Sequence, residues 1–200
     1  MAQDVAQDMI RIGVVLGSTR PGRVGAQVAE WVHGIAARRA DAAFTLVDLA
    51  AFRLPHFDQP VPPALGGTVG PEAQEWARTV GGLDGFVFVI PEYNHQLPGV
   101  MKDALDFVFA EWSDKAAGIV GYGVAGGTGS AAQLRQMCGP LGLADVPPQV
   151  GLHLALDFED FRVFTPRESS ARALDGLLDR VVEWTGALAA VRAGRAARVA

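Results

Sequence analysis

The sequence predicts an α/β fold in which a doubly wound, five-stranded parallel sheet lies between two layers of helices. Stretches with apolar residues at helical spacing alternate with short apolar, β-branched stretches. Strands that alternate with helices form parallel sheets with right-handed crossovers, and the natural strand order is 2-1-3-4-5. The five predicted strands cover 10–16, 44–49, 85–90, 116–122 and 150–156.

The elements follow one another along the chain with short connections. The first strand is apolar on both faces, which is typical of a central parallel strand. Val28, Trp31, Val32 and Ile35 then give the helix from about Val24 one apolar face. A Pro- and Gly-rich loop over 54–70 is long enough to be functional or to lie at an interface. The later predicted helices cover 72–80, 98–109, a stretch that ends at about Met137, and 168–191.

Length and composition indicate one domain over residues 1–200, with 1–9 and 195–200 expected to be flexible. A net charge of −5 argues against a nucleic-acid partner, and no apolar run approaches the roughly 20 residues of a membrane span. The first nine residues hold two acids and no base, so they are not a signal peptide. The single cysteine, Cys138, indicates a reducing, cytoplasmic compartment and is expected to be a buried apolar residue. The dispersed histidines indicate no metal site.

A turn of hydroxyl and cationic residues follows the first strand directly. It contains Ser18, Thr19, Arg20 and Arg23, and a helix begins just after it. Backbone N–H groups, hydroxyls and the positive end of a helix then point to one place, which suits a phosphate monoester. The turn lacks the Gly-Lys-Ser/Thr ending of a nucleotide-binding P-loop. The alternative is that a hydroxyl only caps the helix and the arginines are solvated.

A second polar loop, Pro-Glu-Tyr-Asn-His-Gln-Leu-Pro-Gly at 91–99, follows the third strand. Tyr93 offers a ring for stacking, and Asn94 both donates and accepts hydrogen bonds. These groups suit a flavin ring. The alternative is a proline-bounded turn with Tyr93 in the core, and His95 could equally contact a ligand or cap a helix.

Gly121, Gly123 and Gly126 form a G-x-G-x-x-G pattern after the fourth strand. A dinucleotide fingerprint belongs after the first strand and needs an acid about 20 residues on, for which Asp145 is a poor candidate. Close approach of the backbone to a flat ligand is the favoured interpretation.

Four motifs together carry a family resemblance. They are Gly-Ser-Thr-Arg with Arg23, Pro-Glu-Tyr-Asn, Pro-Gly-Val-Met-Lys-Asp-Ala-Leu-Asp at 98–106, and Gly-Val-Ala-Gly-Gly at 123–127 followed by Gln-Leu-Arg at 133–135. On these residues the chain resembles the NADPH-dependent FMN reductases, which are flavodoxin-like flavoproteins. The resemblance implies an FMN phosphate surrounded by Ser18, Thr19, Arg20, Arg23, Val24 and Gly25. It also implies a ribityl chain and isoalloxazine along Pro91, Glu92, Tyr93 and Asn94, with Gly121, Gly123 and Gly126 at the far edge of the ring.

The resemblance further implies an oxidoreductase that moves a hydride from NADPH or NADH to FMN and then electrons to a small acceptor in a ping-pong cycle. Quinones, azo dyes, free flavin and metal oxyanions are all possible acceptors, and no side chain is assigned as catalytic. Relatives form homodimers or homotetramers; the apolar residues of 105–109 are a candidate contact surface, unless they pack in the core. The alternative function is a flavodoxin-type electron carrier without its own NAD(P)H oxidation.

Overall fold

The computed structural model describes residues 9–67 and 69–199, and it contains the predicted parallel sheet. Neighbouring strands pair in the order β2-β1-β3-β4-β5, and β6 also pairs with β4. All of these pairings are parallel, so the prediction of a doubly wound sheet with order 2-1-3-4-5 is confirmed. The strands are β1 (Arg11–Leu16), β2 (Ala43–Asp48), β3 (Gly85–Pro91), β4 (Lys115–Gly123), β5 (Leu143–Asp145) and β6 (Val150–His153).

Helices cover both faces of the sheet. The helices are α1 (Gly25–Ala36), α2 (Gln74–Gly81), α3 (Gly99–Asp106), α4 (Thr128–Cys138), α5 (Leu154–Asp157) and α6 (Glu168–Val199). Alternate residues of β3 point to opposite faces, as a strand requires. Val87 and Val89 pack with α1 and α6, whereas Phe86 and Phe88 pack with α2, α3 and α4. Burial of both faces explains why the central strands are apolar throughout.

The fifth position of the sheet differs from the prediction of a single strand over 150–156. β5 pairs with the first residues of β4, and β6 pairs with its last four residues. Between them lie Pro147 and Pro148, which have no N–H group to donate to a strand ladder. Residues 154–157 turn into α5 because the Asp157 carboxylate accepts a hydrogen bond from the His153 N–H at 2.9 Å.

Most of the segment over 105–109, named above as a candidate contact surface, packs in the core of this chain, and Phe109 is half-buried. Leu105, Phe107 and Val108 are at most 1% exposed. The helix ends at Asp106, three residues earlier than predicted, and the indole of Trp112 donates to the Leu105 carbonyl at 3.1 Å. The apolar excess of this segment therefore comes from packing between α3 and the sheet.

Two further elements complete the chain. A short antiparallel hairpin, β7 (Phe158–Glu159) with β8 (Val163–Phe164), precedes α6 and was not predicted. The last helix extends to Val199, eight residues beyond the predicted end. Residues 1–8 and 200, which belong to the segments predicted to be flexible, lie outside the described residues. Among the residues described, no helix is long and apolar enough to cross a bilayer.

Candidate functional site

Three loops meet at the carboxyl edge of the sheet because β1, β3 and β4 are neighbours in it. They surround a cavity of about 120 Å³. In a doubly wound sheet, ligands bind in this crevice outside the carboxyl ends of the strands. The cavity is lined by Arg20, Arg23, Val24, Pro91, Glu92, Tyr93, Tyr122, Gly123, Leu154 and Phe161.

The first loop is fixed to its neighbours by hydrogen bonds. The Gly17 N–H donates to the Val89 carbonyl at 2.9 Å. Ser18 is fully buried, and its hydroxyl lies 2.9 Å from the hydroxyl of Tyr93, so that either can donate. Ser18 was predicted to surround a phosphate, and the structure places its side chain between the first two loops. It therefore holds Tyr93 in position.

The loop ends at α1, whose first turn has N–H groups free for a ligand. Among the described residues, no side chain caps this helix at Val24. An uncapped helix N-terminus attracts anions through its N–H groups and its positive dipole. Gly25, the first residue of α1, lies directly against Tyr122, since a Cβ at residue 25 would be 2.1 Å from the Tyr122 hydroxyl oxygen. Only glycine fits this contact.

The two predicted arginines both reach the cavity but differ in their surroundings. Arg20 is exposed. The Arg23 side chain is 16% exposed and forms an ion pair with Asp48 at the end of β2. Its Nε is buried and has no hydrogen-bond partner among the described residues. Because buried donors in native proteins are nearly always satisfied, this N–H group is a candidate ligand contact.

Tyr122, at the end of β4, was not predicted as a site residue. Burial raises the pKa of its hydroxyl well above the ordinary range, and the nearby Tyr93 adds to the rise, whereas Arg23 and Arg20 oppose it. Tyr122 is therefore a neutral hydrogen-bonding group beside α1 at physiological pH. A single aromatic residue between two glycines in a strand gave no sequence signal for this role.

The second loop is a tight two-residue reversal. Tyr93 and Gln96 exchange backbone hydrogen bonds of 2.9 and 3.0 Å. Between them, Asn94 and His95 have φ values of 53° and 64°, as in a type I′ turn. Their side chains are exposed at the tip, while Tyr93 is 36% exposed at the cavity wall.

Glu92 connects the second loop with the third. Its carboxylate accepts a hydrogen bond of 2.7 Å from the Gly129 N–H in the first turn of α4. The other carboxylate oxygen is 3.4 Å from His95 Nδ1, and the side chain is 8% exposed. Glu92 thus contributes to the cavity wall mainly by holding the start of α4.

The third loop folds back onto the strand that precedes it. Gly127 has φ of +71°, and a Cβ there would be 2.5 Å from the Tyr122 nitrogen. The predicted glycines surround this reversal: Gly121 lies beneath Gly127, Gly123 faces Glu92 and lines the cavity, and Gly126 packs against His153. The glycine pattern therefore permits close backbone packing after the fourth strand.

Thr19 is not among the residues that line this cavity. It lines a separate cavity of about 260 Å³. Seven of the predicted residues thus line the first cavity, and Ser18, Thr19, Gly25, Asn94, Gly121 and Gly126 lie around it. Leu154 and Phe161, like Tyr122, are lining residues that the sequence motifs did not indicate.

Comparisons with known proteins agree with this arrangement. A family model for NADPH-dependent FMN reductase matches residues 10–157. An NAD(P)H-dependent FMN reductase of Schizosaccharomyces pombe is 33% identical over 177 residues, covering 88% of this chain and 82% of the relative. An NAD(P)H-dependent FMN reductase of a Nectria species is 37% identical over 134 residues, covering 64% of this chain and 67% of the relative.

A solved structure shows the same fold. FerB, a flavoenzyme NAD(P)H:(acceptor) oxidoreductase from Paracoccus denitrificans, superposes with a TM-score of 0.68 over 88% of this chain and 97% of its own, at 22% identity. The family model covers the three loops that form the cavity and ends just before the β7–β8 hairpin. The chain belongs to the NADPH-dependent FMN reductase family.

Proposed function

We propose that the chain binds FMN in the cavity between its three loops and acts as an NAD(P)H-dependent oxidoreductase. The observation that carries the proposal is the convergence of Arg20, Arg23 and the uncapped start of α1 on a cavity shared with Tyr93 and Gly123. The arginines and the start of α1 suit a phosphate, and Tyr93 and Gly123 suit a flat ring. Family membership supports the same cofactor.

The phosphate end is supported by donors that lack partners within the described residues. The buried Nε of Arg23 and the N–H groups of Gly25 and Ala26 at the start of α1 are such donors. Two guanidinium groups beside a helix N-terminus match a dianionic phosphate monoester. Gly25 lets Tyr122 approach the same turn. In this proposal, Thr19 and Val24 complete the phosphate surroundings.

The ring end is supported by the rigidity of its side chains and backbone. The hydrogen bond between the Ser18 and Tyr93 hydroxyls fixes the Tyr93 ring at the wall, and the I′ turn fixes Asn94 beside it. Pro91 and Gly123 pack backbone against the same space. Gly121 and Gly126 shape the third loop around it. Such fixed groups hold a cofactor at low entropic cost.

Held by Arg20, Arg23 and the start of α1, bound FMN would supply hydride chemistry, with NAD(P)H and a second substrate reacting one after the other in a ping-pong cycle. The residues of the chain position the cofactor, and we assign none as a proton donor or acceptor. We propose a small organic or inorganic acceptor: a quinone, an azo dye, free flavin or a metal oxyanion.

We also propose a homodimeric or homotetrameric, cytoplasmic protein. The loop over 54–70 supports the assembly, since Leu65 is 77% exposed and Val61 is 47% exposed. Apolar side chains of this size are often covered in an oligomer. Sedimentation of the purified protein at several concentrations tests the assembly.

The proposed activity is tested by the absorption spectrum of the purified protein with added FMN, followed by anaerobic NADPH and, separately, NADH. A flavin band that is bleached by either nucleotide is the expected result. Bound flavin that neither nucleotide reduces would favour a flavodoxin-type electron carrier. No flavin binding would contradict the proposed site.

A further inference from the structure

The β7–β8 hairpin carries a strained aromatic residue at its tip. The Arg162 N–H donates to the Glu159 carbonyl at 2.9 Å and closes a two-residue turn. The central residues, Asp160 and Phe161, have φ values of 48° and 56°. Turns of this type prefer Asn-Gly or Asp-Gly, and a bulky side chain with positive φ is a genuine outlier. Such strain persists only where the surrounding structure imposes it, and it is frequent at binding sites.

Contacts with α1 hold this hairpin in place without using the Phe161 ring. The Gln27 side chain donates to the Arg162 carbonyl at 2.9 Å and accepts from the Phe164 N–H at 2.9 Å. Phe164 also packs edge-to-face on Trp31, with 5.2 Å between ring centroids. The Phe161 side chain, by contrast, is 62% exposed. Neither the turn nor its anchoring therefore explains a phenylalanine at this position.

The position of Phe161 relative to the candidate site offers an explanation. Phe161 and Leu154 form part of the apolar wall of the cavity that Arg20, Arg23 and Tyr93 also line. Phe161 lies beyond residue 157, where the family match ends. Gln27 belongs to the first turn of α1, so the hairpin is tied to the same turn that borders the proposed phosphate site.

We propose that Phe161 is an FMN-binding residue whose aromatic face packs on the bound cofactor from the hairpin side. This inference rests on the proposed function, since it requires FMN in the cavity. The anchored turn fixes the backbone of Phe161 beside the cavity, so little backbone entropy is lost when FMN binds. Contact between an aromatic side chain and a flat heterocycle contributes substantially to binding even without hydrogen bonds.

The test compares the FMN dissociation constants of the full-length wild type, Phe161→Gly, Phe161→Tyr and Val163→Ala by fluorescence titration. Glycine tolerates positive φ but removes the ring, tyrosine keeps the ring, and Val163 is 53% exposed on the same hairpin. We expect Phe161→Gly to weaken FMN binding by about 10-fold, within the range for loss of one aromatic stacking partner. Phe161→Tyr and Val163→Ala should bind like the wild type.

A second measurement separates binding from structural damage. Because glycine relieves the strain, the flavin-free Phe161→Gly variant should unfold at a temperature about 2–4 °C higher than the wild type. Equal FMN affinity of Phe161→Gly and the wild type would overturn the inference while leaving the proposed function intact. Equal losses of FMN affinity in Phe161→Gly and Val163→Ala would also overturn it, as would an effect of Phe161→Gly on the KM for NADPH alone. If the wild type binds no FMN, both proposals fail.

Discussion

Replacing Arg23 by methionine should weaken binding of FMN and leave binding of riboflavin, which lacks the phosphate, almost unchanged. Hydrogen bonds to charged groups contribute about 1.5–3 kcal/mol. The Arg23 side chain is 16% exposed, which limits screening by water, but Asp48 already neutralises part of its charge. We therefore expect a loss of about 2 kcal/mol, or about 30-fold in the FMN dissociation constant.

The assay is fluorescence titration of each variant with FMN and with riboflavin, because the ratio of the two affinities isolates the phosphate. Arg78→Met is the matched control, since Arg78 is exposed on α2, which packs on the opposite face of the sheet from α1. Combining Arg23→Met with Asp48→Asn removes the carboxylate left unpaired and should recover part of the loss. If Arg23→Met weakens both flavins by the same factor, the guanidinium does not contact the phosphate and our assignment of the first loop is refuted.

Three further substitutions test the buried charges and close packing of the fold, each by denaturant unfolding. Asp157 is fully buried and hydrogen-bonded to Arg167, so Asp157→Asn should cost roughly 3 kcal/mol, or about 6–12 °C in Tm. Burial alone would raise the pKa of Asp157, but its hydrogen bonds lower it. The extra stability of the wild type over Asp157→Asn should thus be complete above the pKa of the unfolded chain and disappear as the pH falls through the pKa of the folded chain. Burial lowers the pKa of Lys115 to about 8, so between pH 8 and 10.5 the unfolded chain holds one more proton than the folded chain. The stability of the wild type relative to Lys115→Met should therefore rise by about 3 kcal/mol over this range. A stability difference that does not vary with pH would contradict this. Gly127→Ala places a Cβ 2.5 Å from the Tyr122 nitrogen at φ of +71° and should cost about 3 kcal/mol of stability. Gly139→Ala is the control, since a Cβ there would meet no atom within 4 Å. A smaller loss for Gly127→Ala than for Gly139→Ala would contradict the packing argument.

Most of the fold could be predicted from the sequence because two-sided burial leaves an unbroken apolar pattern in each central strand. The pattern fails where a strand is interrupted. Pro147 and Pro148 divide the fifth position of the sheet, and the apolar residues up to Leu156 continue past the end of β6 into α5. The β7–β8 hairpin was missed because Asp-Phe lacks the glycine that signals a two-residue turn.

The site was predicted as far as residues next to one another in the chain could indicate it. Arg20, Arg23 and Tyr93 belong to motifs, and the structure places them around one cavity. The role of Ser18 depends on a partner 75 residues away. The role of Tyr122 depends on Gly25, the glycine at the start of α1. Such pairings follow from strand order and register, which periodicity alone does not define.

Backbone strain and the buried cation Lys115 lie at opposite ends of the sheet. Among the described residues, five of the six non-glycine residues with positive φ follow the carboxyl ends of strands; they are Arg53, Asn94, His95, Asp160 and Phe161. At the amino edge, the Lys115 ammonium donates to the Val80 carbonyl at 2.7 Å, and Arg192 pairs with Asp84 at 2.7 Å. Backbone strain costs stability and is retained where it orients groups for a ligand. Substitutions that strengthen the amino edge should therefore stabilise the protein without affecting the site, whereas relief of strain at the carboxyl edge should raise stability at the expense of binding.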